Sequence, residues 1–105
     1  MITAMVQFKF PRAIPIEKAR EAALGTAPRY RGVPGLIRKY YTLSADGMSG
    51  GGIYLWKSRE DADRMYKNEE WRALVRERYG SEPTITYLET PVVVDNLRNE
   101  IVSDS

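Results

Sequence analysis

Two runs of aromatic and β-branched residues, separated by a short polar gap, dictate what this chain can fold into. The first is Gly35-Leu36-Ile37-Arg38-Lys39-Tyr40-Tyr41-Thr42-Leu43-Ser44; the second is Gly51-Gly52-Ile53-Tyr54-Leu55-Trp56-Lys57. Asp46-Gly47 between them is a favoured turn pair. The pattern predicts two antiparallel strands joined by a loop over 45–49. Strand geometry sorts the side chains by parity. Leu36, Arg38, Tyr40 and Thr42 then share one face and Ile37, Lys39, Tyr41 and Leu43 the other; Tyr54 and Trp56 lie opposite Ile53 and Leu55. Gly50, Gly51 and Gly52 open the second strand. Three successive glycines cost backbone entropy, so they mark a bulge or a close approach by another group.

The flanking segments complete a simple order. Ile2, Ala4, Val6, Phe8 and Phe10 alternate with polar or smaller neighbours, which predicts a strand with one apolar side ending at Pro11. Pro15 and Glu17 suit a helix start. Ile16, Ala19, Ala23 and Ala27 follow at helical spacing, a thin stripe that predicts a helix lying close to its sheet, and Pro28 ends or kinks it. Ser58 with Asp61 three residues on reads as a helix cap, and Asn68-Glu69-Glu70 as a second. Two short helices, or one broken near Asn68, therefore run to Gly80. Residues 84–94 read as a fourth strand, with Pro91 at an edge or bulge. Residues 96–105 read as a polar tail, either crossing to a partner or disordered, behind one domain over 1–95.

The order β-α-β-β-α-β predicts an α+β, ferredoxin-like fold: a four-stranded antiparallel sheet with helices on one face. The other face is then bare, and two such sheets packed together form a homodimeric α+β barrel. At 105 residues the chain holds one core, and small domains gain from covering surface by pairing.

Composition removes several function classes. The net charge is +2, with sixteen basic residues interleaved among fourteen acidic ones. Without a basic stripe, nucleic acid is not the expected partner. No cysteine is present, which removes disulfides, thiolate catalysis and iron–sulfur clusters. No histidine is present either, which removes the commonest general base and metal ligand. No apolar run is long enough to span a membrane, and the first residues lack a charged signal region, so a cytoplasmic protein is expected.

The pieces Val33-Pro34-Gly35-Leu36-Ile37-Arg38-Lys39 and Gly51-Gly52-Ile53-Tyr54-Leu55-Trp56-Lys57-Ser58, with the acidic helix carrying Ala62 and Tyr66, resemble the small dimeric α+β barrel proteins of the YdhR type. Over residues 2–95 the chain is similar to cofactor-free antibiotic-biosynthesis mono-oxygenases. The resemblance implies the βαββαβ fold, a dimeric barrel, and a pocket in each subunit between sheet and helices. It implies no cofactor and a small aromatic partner, a phenol, hydroquinone or polyketide-like molecule. Haem-degrading members of the superfamily hold iron through a histidine, which this chain lacks.

Such chemistry needs aromatic walls, one cation to favour a substrate anion, and exclusion of water. Arg38 is the expected cation and Tyr54 its catalytic neighbour; Tyr40, Trp56, Tyr66, Trp71 and Tyr30 are the expected substrate-binding residues. Each has a plainer reading. The aromatic residues can simply pack between sheet and helices, and Arg38 can sit at a sheet edge or dimer interface. Tyr40 and Tyr41 point to opposite faces, so at most one lines the pocket. The alternative to an enzyme is a non-catalytic small-molecule-binding or dimerisation module of the same fold.

Overall fold

The computed structural model describes residues 1–104. Strand β1 (Ile2–Lys9) alternates as its sequence requires, with Ile2, Ala4, Val6 and Phe8 buried and Gln7 and Lys9 exposed. It pairs with β3 (Ser49–Trp56) on one side and β4 (Thr84–Glu89) on the other, and β3 also pairs with β2 (Leu36–Leu43). The resulting sheet has the order β2-β3-β1-β4, antiparallel throughout. This is the expected ferredoxin-like arrangement, with helices α1 (Ile16–Thr26), α2 (Arg59–Tyr66) and α3 (Glu69–Tyr79).

The helices lie against one face. Ile2, Ala4, Val6 and Phe8 of β1 and Tyr54 and Trp56 of β3 bury there against Ala62 and Tyr66 of α2 and Trp71 and Val75 of α3. Trp56 and Ala62 are wholly inaccessible. Burying one such large side chain stabilises the fold by roughly 1.5–3 kcal/mol, so this cluster anchors α2 and α3. Both helices start at side-chain caps: Ser58 Oγ accepts the Asp61 amide at 3.1 Å and Asn68 Oδ1 accepts the Trp71 amide at 3.2 Å. Gly80 ends α3 in the left-handed region, φ +74°.

Helix α1 is held differently. Its N-terminal residue Pro15 offers no side-chain acceptor, and Thr26 alone of its residues is buried. Ile16 and Leu24 are exposed. Pro28 ends the helix in a short 3-10 turn, Ala27–Tyr30, whose last residue packs on the core. The close seating predicted from the alanine stripe does not occur. Alanine side chains are too short to reach the sheet, and the helix is tied down at its C-terminal end, so a cleft remains beneath it.

The register of β2 on β3 contains an irregularity between Leu36 and Arg38. Leu36 pairs with Trp56 and packs on the core, but Arg38 already pairs with Leu55. Beyond the bulge, Lys39 stands across from Tyr54 and Tyr41 across from Gly52. Directly paired residues share a face, so Lys39 and Tyr41 point toward the helices. Arg38 and Tyr40 point to the open side. The glycine run fits this crowding. A β-carbon on Gly52 would lie 3.1 Å from Lys39 Cε and 2.9 Å from Tyr54 Cε1. At Gly51, φ is +155° and a β-carbon would overlap the carbonyl oxygen of Val6.

Pro91 divides the expected fourth strand. Beyond it, β5 (Val92–Asp95) pairs with β6 (Glu100–Ser103), so the segment read as a polar tail folds back as a hairpin. The hairpin is tied to the body by Arg38–Asp95 at 2.6 Å and, just past its end, by the amino terminus to Asp104; Thr3 bonds Thr90 just before it. Strands β2 and β4 are opposite edges, so a hairpin that leaves β4 and reaches Arg38 on β2 spans the sheet face away from the helices. Among the described residues no helix is long and apolar enough to cross a membrane.

Candidate functional site

Beneath the helices the aromatic residues form one connected cluster. Tyr66 stands edge-on to Tyr54 (centroids 5.5 Å, 90°) and to Trp56 (5.8 Å, 85°), and lies 5.1 Å from Trp71. Tyr30 meets Tyr54 edge-on at 5.9 Å. The polar edges are paired inside the cluster: the Trp56 indole donates to the Tyr66 hydroxyl at 3.0 Å, and the Trp71 indole to the Tyr30 hydroxyl at 3.3 Å. Edge-to-face pairs of this kind add about 0.5–1.5 kcal/mol each beyond burial. Burial pushes the Tyr54 and Tyr66 phenols well above their ordinary range, so both stay neutral.

Lys39 extends into this cluster. Its Nζ lies 3.4 Å from the Tyr30 ring centroid, 3.8 Å from Tyr41 and 4.8 Å from Tyr54. A void of about 30 Å³ adjoins it, lined by Tyr30, Tyr54, Tyr41 and Gly51 among others. Next to this void is a larger cleft of about 330 Å³ under α1. Its walls include Ala19 and Ala23 of the helix, Ala27 of the 3-10 turn, Phe10 and Leu43 from the sheet side, and Tyr79, and Lys18 and Arg20 also line it. Tyr41, Gly51 and Tyr79 line both spaces. Tyr41 is fixed at this junction by a 2.7 Å hydrogen bond to Thr26 Oγ1. Thr26 gives its own proton to the Ala23 carbonyl at 3.2 Å, which makes Tyr41 the donor. Tyr79 is fixed by stacking on Phe8 at 4.1 Å. A wider depression of about 630 Å³ on the outside of α2 and α3 is lined by Arg29, Asp61, Arg64, Glu70 and Glu77. Val33, Met65, Trp71 and Leu74 line it as well.

The structure thus brings Tyr30, Tyr54, Trp56, Tyr66 and Trp71 together and leaves Arg38 and Tyr40 out. The guanidinium bonds Asp95 at 2.6 Å and the Tyr40 hydroxyl at 3.3 Å on the open face, and Tyr40 is half exposed. Parity alone separates Arg38 from Lys39 but does not say which pairs with Tyr54. Slipping the register by one residue exchanges the faces, and the bulge after Leu36 sets that register. The cluster itself is packed solid, so Trp56 and Tyr66 support the site and do not line the cleft. Lys39, Tyr79 and the alanines of α1 are not among the sequence-predicted site residues, and of Tyr40 and Tyr41 the sequence reading preferred Tyr40. The usable signal was a lysine and tyrosine at alternate positions facing a glycine-rich strand, which leaves room for both side chains. Among the described residues, no three His, Cys, Asp or Glu residues converge as metal ligands.

Residues 5–79, more than half of the chain, match the family model described as "Putative mono-oxygenase ydhR". The chain belongs to this family. No curated protein matches it significantly. Solved structures with the same fold include a monooxygenase from the gene ActVA-Orf6 of Streptomyces coelicolor in complex with the ligand Nanaomycin D. It is 22% identical, with a TM-score of 0.66 over 85% of this chain and 86% of that one. A putative antibiotic biosynthesis monooxygenase from Bordetella bronchiseptica is 17% identical, with a TM-score of 0.61 over 85% and 95% of the two chains. Rv0793 from Mycobacterium tuberculosis is 19% identical, with a TM-score of 0.59 over 85% and 93%. Family membership supports a monooxygenase-type function.

In this member of the ydhR family, the buried cation sets a pH dependence. The ring faces attract the Lys39 ammonium by about 0.5–2 kcal/mol each, but burial strips its hydration. Among the described residues no carboxylate lies within ion-pair distance of it. Burial prevails and lowers the Lys39 pKa from 10.5 to about 7. Between those values the unfolded chain binds one more proton than the folded one, so stability rises with pH across that window. Below it both forms are charged and the full cost of burying the ammonium is present. Urea denaturation is expected to show stability increasing by about 1 kcal/mol per pH unit from pH 7 to 9. Lys39→Met is expected to abolish that slope and to raise stability at pH 6. A lysine-independent slope would contradict the buried, unpaired amine.

Proposed function

We propose that this protein is a cofactor-independent mono-oxygenase that oxidises a small aromatic molecule, a phenol, hydroquinone or polyketide-like compound. The observation that carries the reading is the largely apolar cleft under α1, which shares Tyr41, Gly51 and Tyr79 with the ring-lined void at Lys39. At about 330 Å³ it is within the size range of small-molecule sites. Its largely apolar walls favour a flat hydrocarbon skeleton, and Tyr41, bonded to Thr26, and Tyr79, stacked on Phe8, are rigid parts of them. The monooxygenase family supports the reaction class, and a protein of this fold is described with Nanaomycin D bound.

A phenol that loses its proton becomes an electron donor to dioxygen. In the four-electron form of the reaction, the ring C–H opposite the hydroxyl becomes a carbonyl. One oxygen atom of O₂ bonds to that carbon, and the other leaves as water with the ring and hydroxyl hydrogens. All electrons come from the substrate, so the protein needs only to bind the ring, favour the anion and keep bulk water out. Tyr30, Tyr54 and Trp71 border the space where the hydroxyl end of such a ring would lie.

Pairing of two chains into a homodimer, in the cytoplasm, completes the reading. The sheet face away from the helices and the hairpin on it expose apolar side chains: Tyr40, Leu88, Val94, Leu97 and Ile101. A second copy of the same sheet would cover them.

Two measurements test this. With a panel of hydroquinones and phenols, the protein is expected to consume one O₂ per turnover without added flavin, haem or metal. Ala23→Trp, which fills the cleft from α1, should lower that rate at least tenfold while the denaturation midpoint stays within about 1 kcal/mol of wild type. Equal rates in the two proteins would exclude the cleft as the site. In sedimentation the protein is expected to run as a dimer, and Leu88→Glu, at a residue exposed in one chain, as a folded monomer; a wild-type monomer would remove the dimer.

A further inference from the structure

The cluster beneath the helices contains a group that this oxidation has not yet been assigned. We propose that Lys39 is the catalytic base: its amine takes the proton of the substrate's aromatic hydroxyl and then, as an ammonium, holds the resulting oxyanion. The inference rests on the aromatic-substrate reading and adds to it the group that makes the anion.

Four observations converge. First, Lys39 is the cation that the two strands β2 and β3 send to the helix side, since Arg38 is turned away and paired with Asp95. Second, no acidic partner occupies its amine among the described residues. The groups facing it are Tyr30 from the 3-10 turn, Tyr41 from its own strand and Tyr54 from β3, with Arg78 and Tyr79 of α3 lining the same void. Third, the void beside it measures about 30 Å³, the room taken by about one water molecule or one hydroxyl oxygen. Fourth, that void and the cleft share Tyr41, Gly51 and Tyr79. Tyr41, whose ring covers the amine at 3.8 Å and walls the cleft, is the side chain that a hydroxyl directed from the cleft has to pass to reach the amine.

The step is a simple proton transfer. The substrate O–H bond breaks, its electron pair stays on oxygen, and the nitrogen lone pair of Lys39 forms the new N–H bond. A buried lysine suits both halves of this exchange. Burial lowers its pKa to about 7, so the amine is available as a base near neutrality. Once protonated it is an ammonium in a site of low dielectric, where attraction to a phenolate is strong. Burial raises the pKa values of the neighbouring Tyr41 and Tyr54, so these two do not compete as anions.

A purely structural Lys39, anchored on three ring faces, would leave a bound phenol unchanged. The test uses 4-nitrophenol, whose neutral and ionised forms absorb at different wavelengths. Bound to the wild-type protein, it should ionise at a pH at least one unit below the free compound, giving about tenfold more phenolate relative to phenol at a given pH below its own pKa. In Lys39→Met the bound phenol should ionise at or above the pH of the free compound. On wild-type protein labelled with ¹⁵N-lysine, probe binding at pH 8 should shift the Lys39 Nζ resonance to the ammonium position. This readout needs no variant. Binding without a spectral shift, or an equal shift in Lys39→Met, or an unmoved Nζ resonance, would overturn the role of Lys39 while leaving the cleft as a ring site. Failure of the wild type to bind the probe would overturn both.

Discussion

One cross-strand pairing, Lys39 against Tyr54, decides what lies beneath the helices. It follows from the bulge after Leu36, which turns Arg38 and Tyr40 outward and Lys39 and Tyr41 inward. The inward pair is admitted because β3 opposes it with glycine: Gly52 leaves space for the Lys39 stem, and Gly51 approaches the Val6 carbonyl too closely for any side chain. Strand register, glycine placement and the location of a buried cation are therefore one structural fact. A cation in that position is costly for stability, and its surroundings of three ring faces offset the cost only in part.

Around that pairing the molecule divides into a firm part and a loose part. The helices α2 and α3 have side-chain caps, and Tyr66, Trp71 and Val75 lock them to the sheet. Helix α1 is fixed mainly where Tyr41 bonds Thr26 and is otherwise separated from the sheet by the cleft. The same tyrosine covers the Lys39 amine at 3.8 Å and forms a wall of the cleft. Tyr41 thus joins the rigid aromatic cluster to the one helix with room beneath it. This arrangement suits a protein whose contribution to an oxidation is to hold a ring still, dry and close to a positive charge.

The fold was largely legible in the sequence because each element had its own signal. The alternation of Ile2, Ala4, Val6 and Phe8 marked β1, Ser58 and Asn68 marked the two helix starts, and Gly80 marked a helix end. The aromatic set Tyr30, Tyr54, Trp56, Tyr66 and Trp71 was also legible as one group, since all of it points from strands or helices toward a single apolar layer. The cation was not. Arg38 and Lys39 are adjacent, and parity separates them without saying which faces inward; a bulge of one residue settles the matter and leaves little trace in sequence. The cleft was misread for a related reason. A row of alanines is compatible both with close approach and with an unfilled gap, and only the anchoring of α1 at one end distinguishes them. At the C-terminus, Pro91 was recognised as an interruption, but the return of Glu100–Ser103 along Val92–Asp95 depends on pairing that composition does not reveal.

The placement of Lys39 among the rings is the claim on which the site depends, and ring currents read it directly. Protons held over aromatic faces resonate far upfield of their exposed positions, and those of Lys39 Cε should do so, with nuclear Overhauser contacts to the Tyr30, Tyr41 and Tyr54 rings. The Arg38 Cδ protons should lie near ordinary values. Upfield shifts at Arg38 with unperturbed Lys39 protons would mean that the strand register is reversed and that the cation beneath the helices has been misassigned.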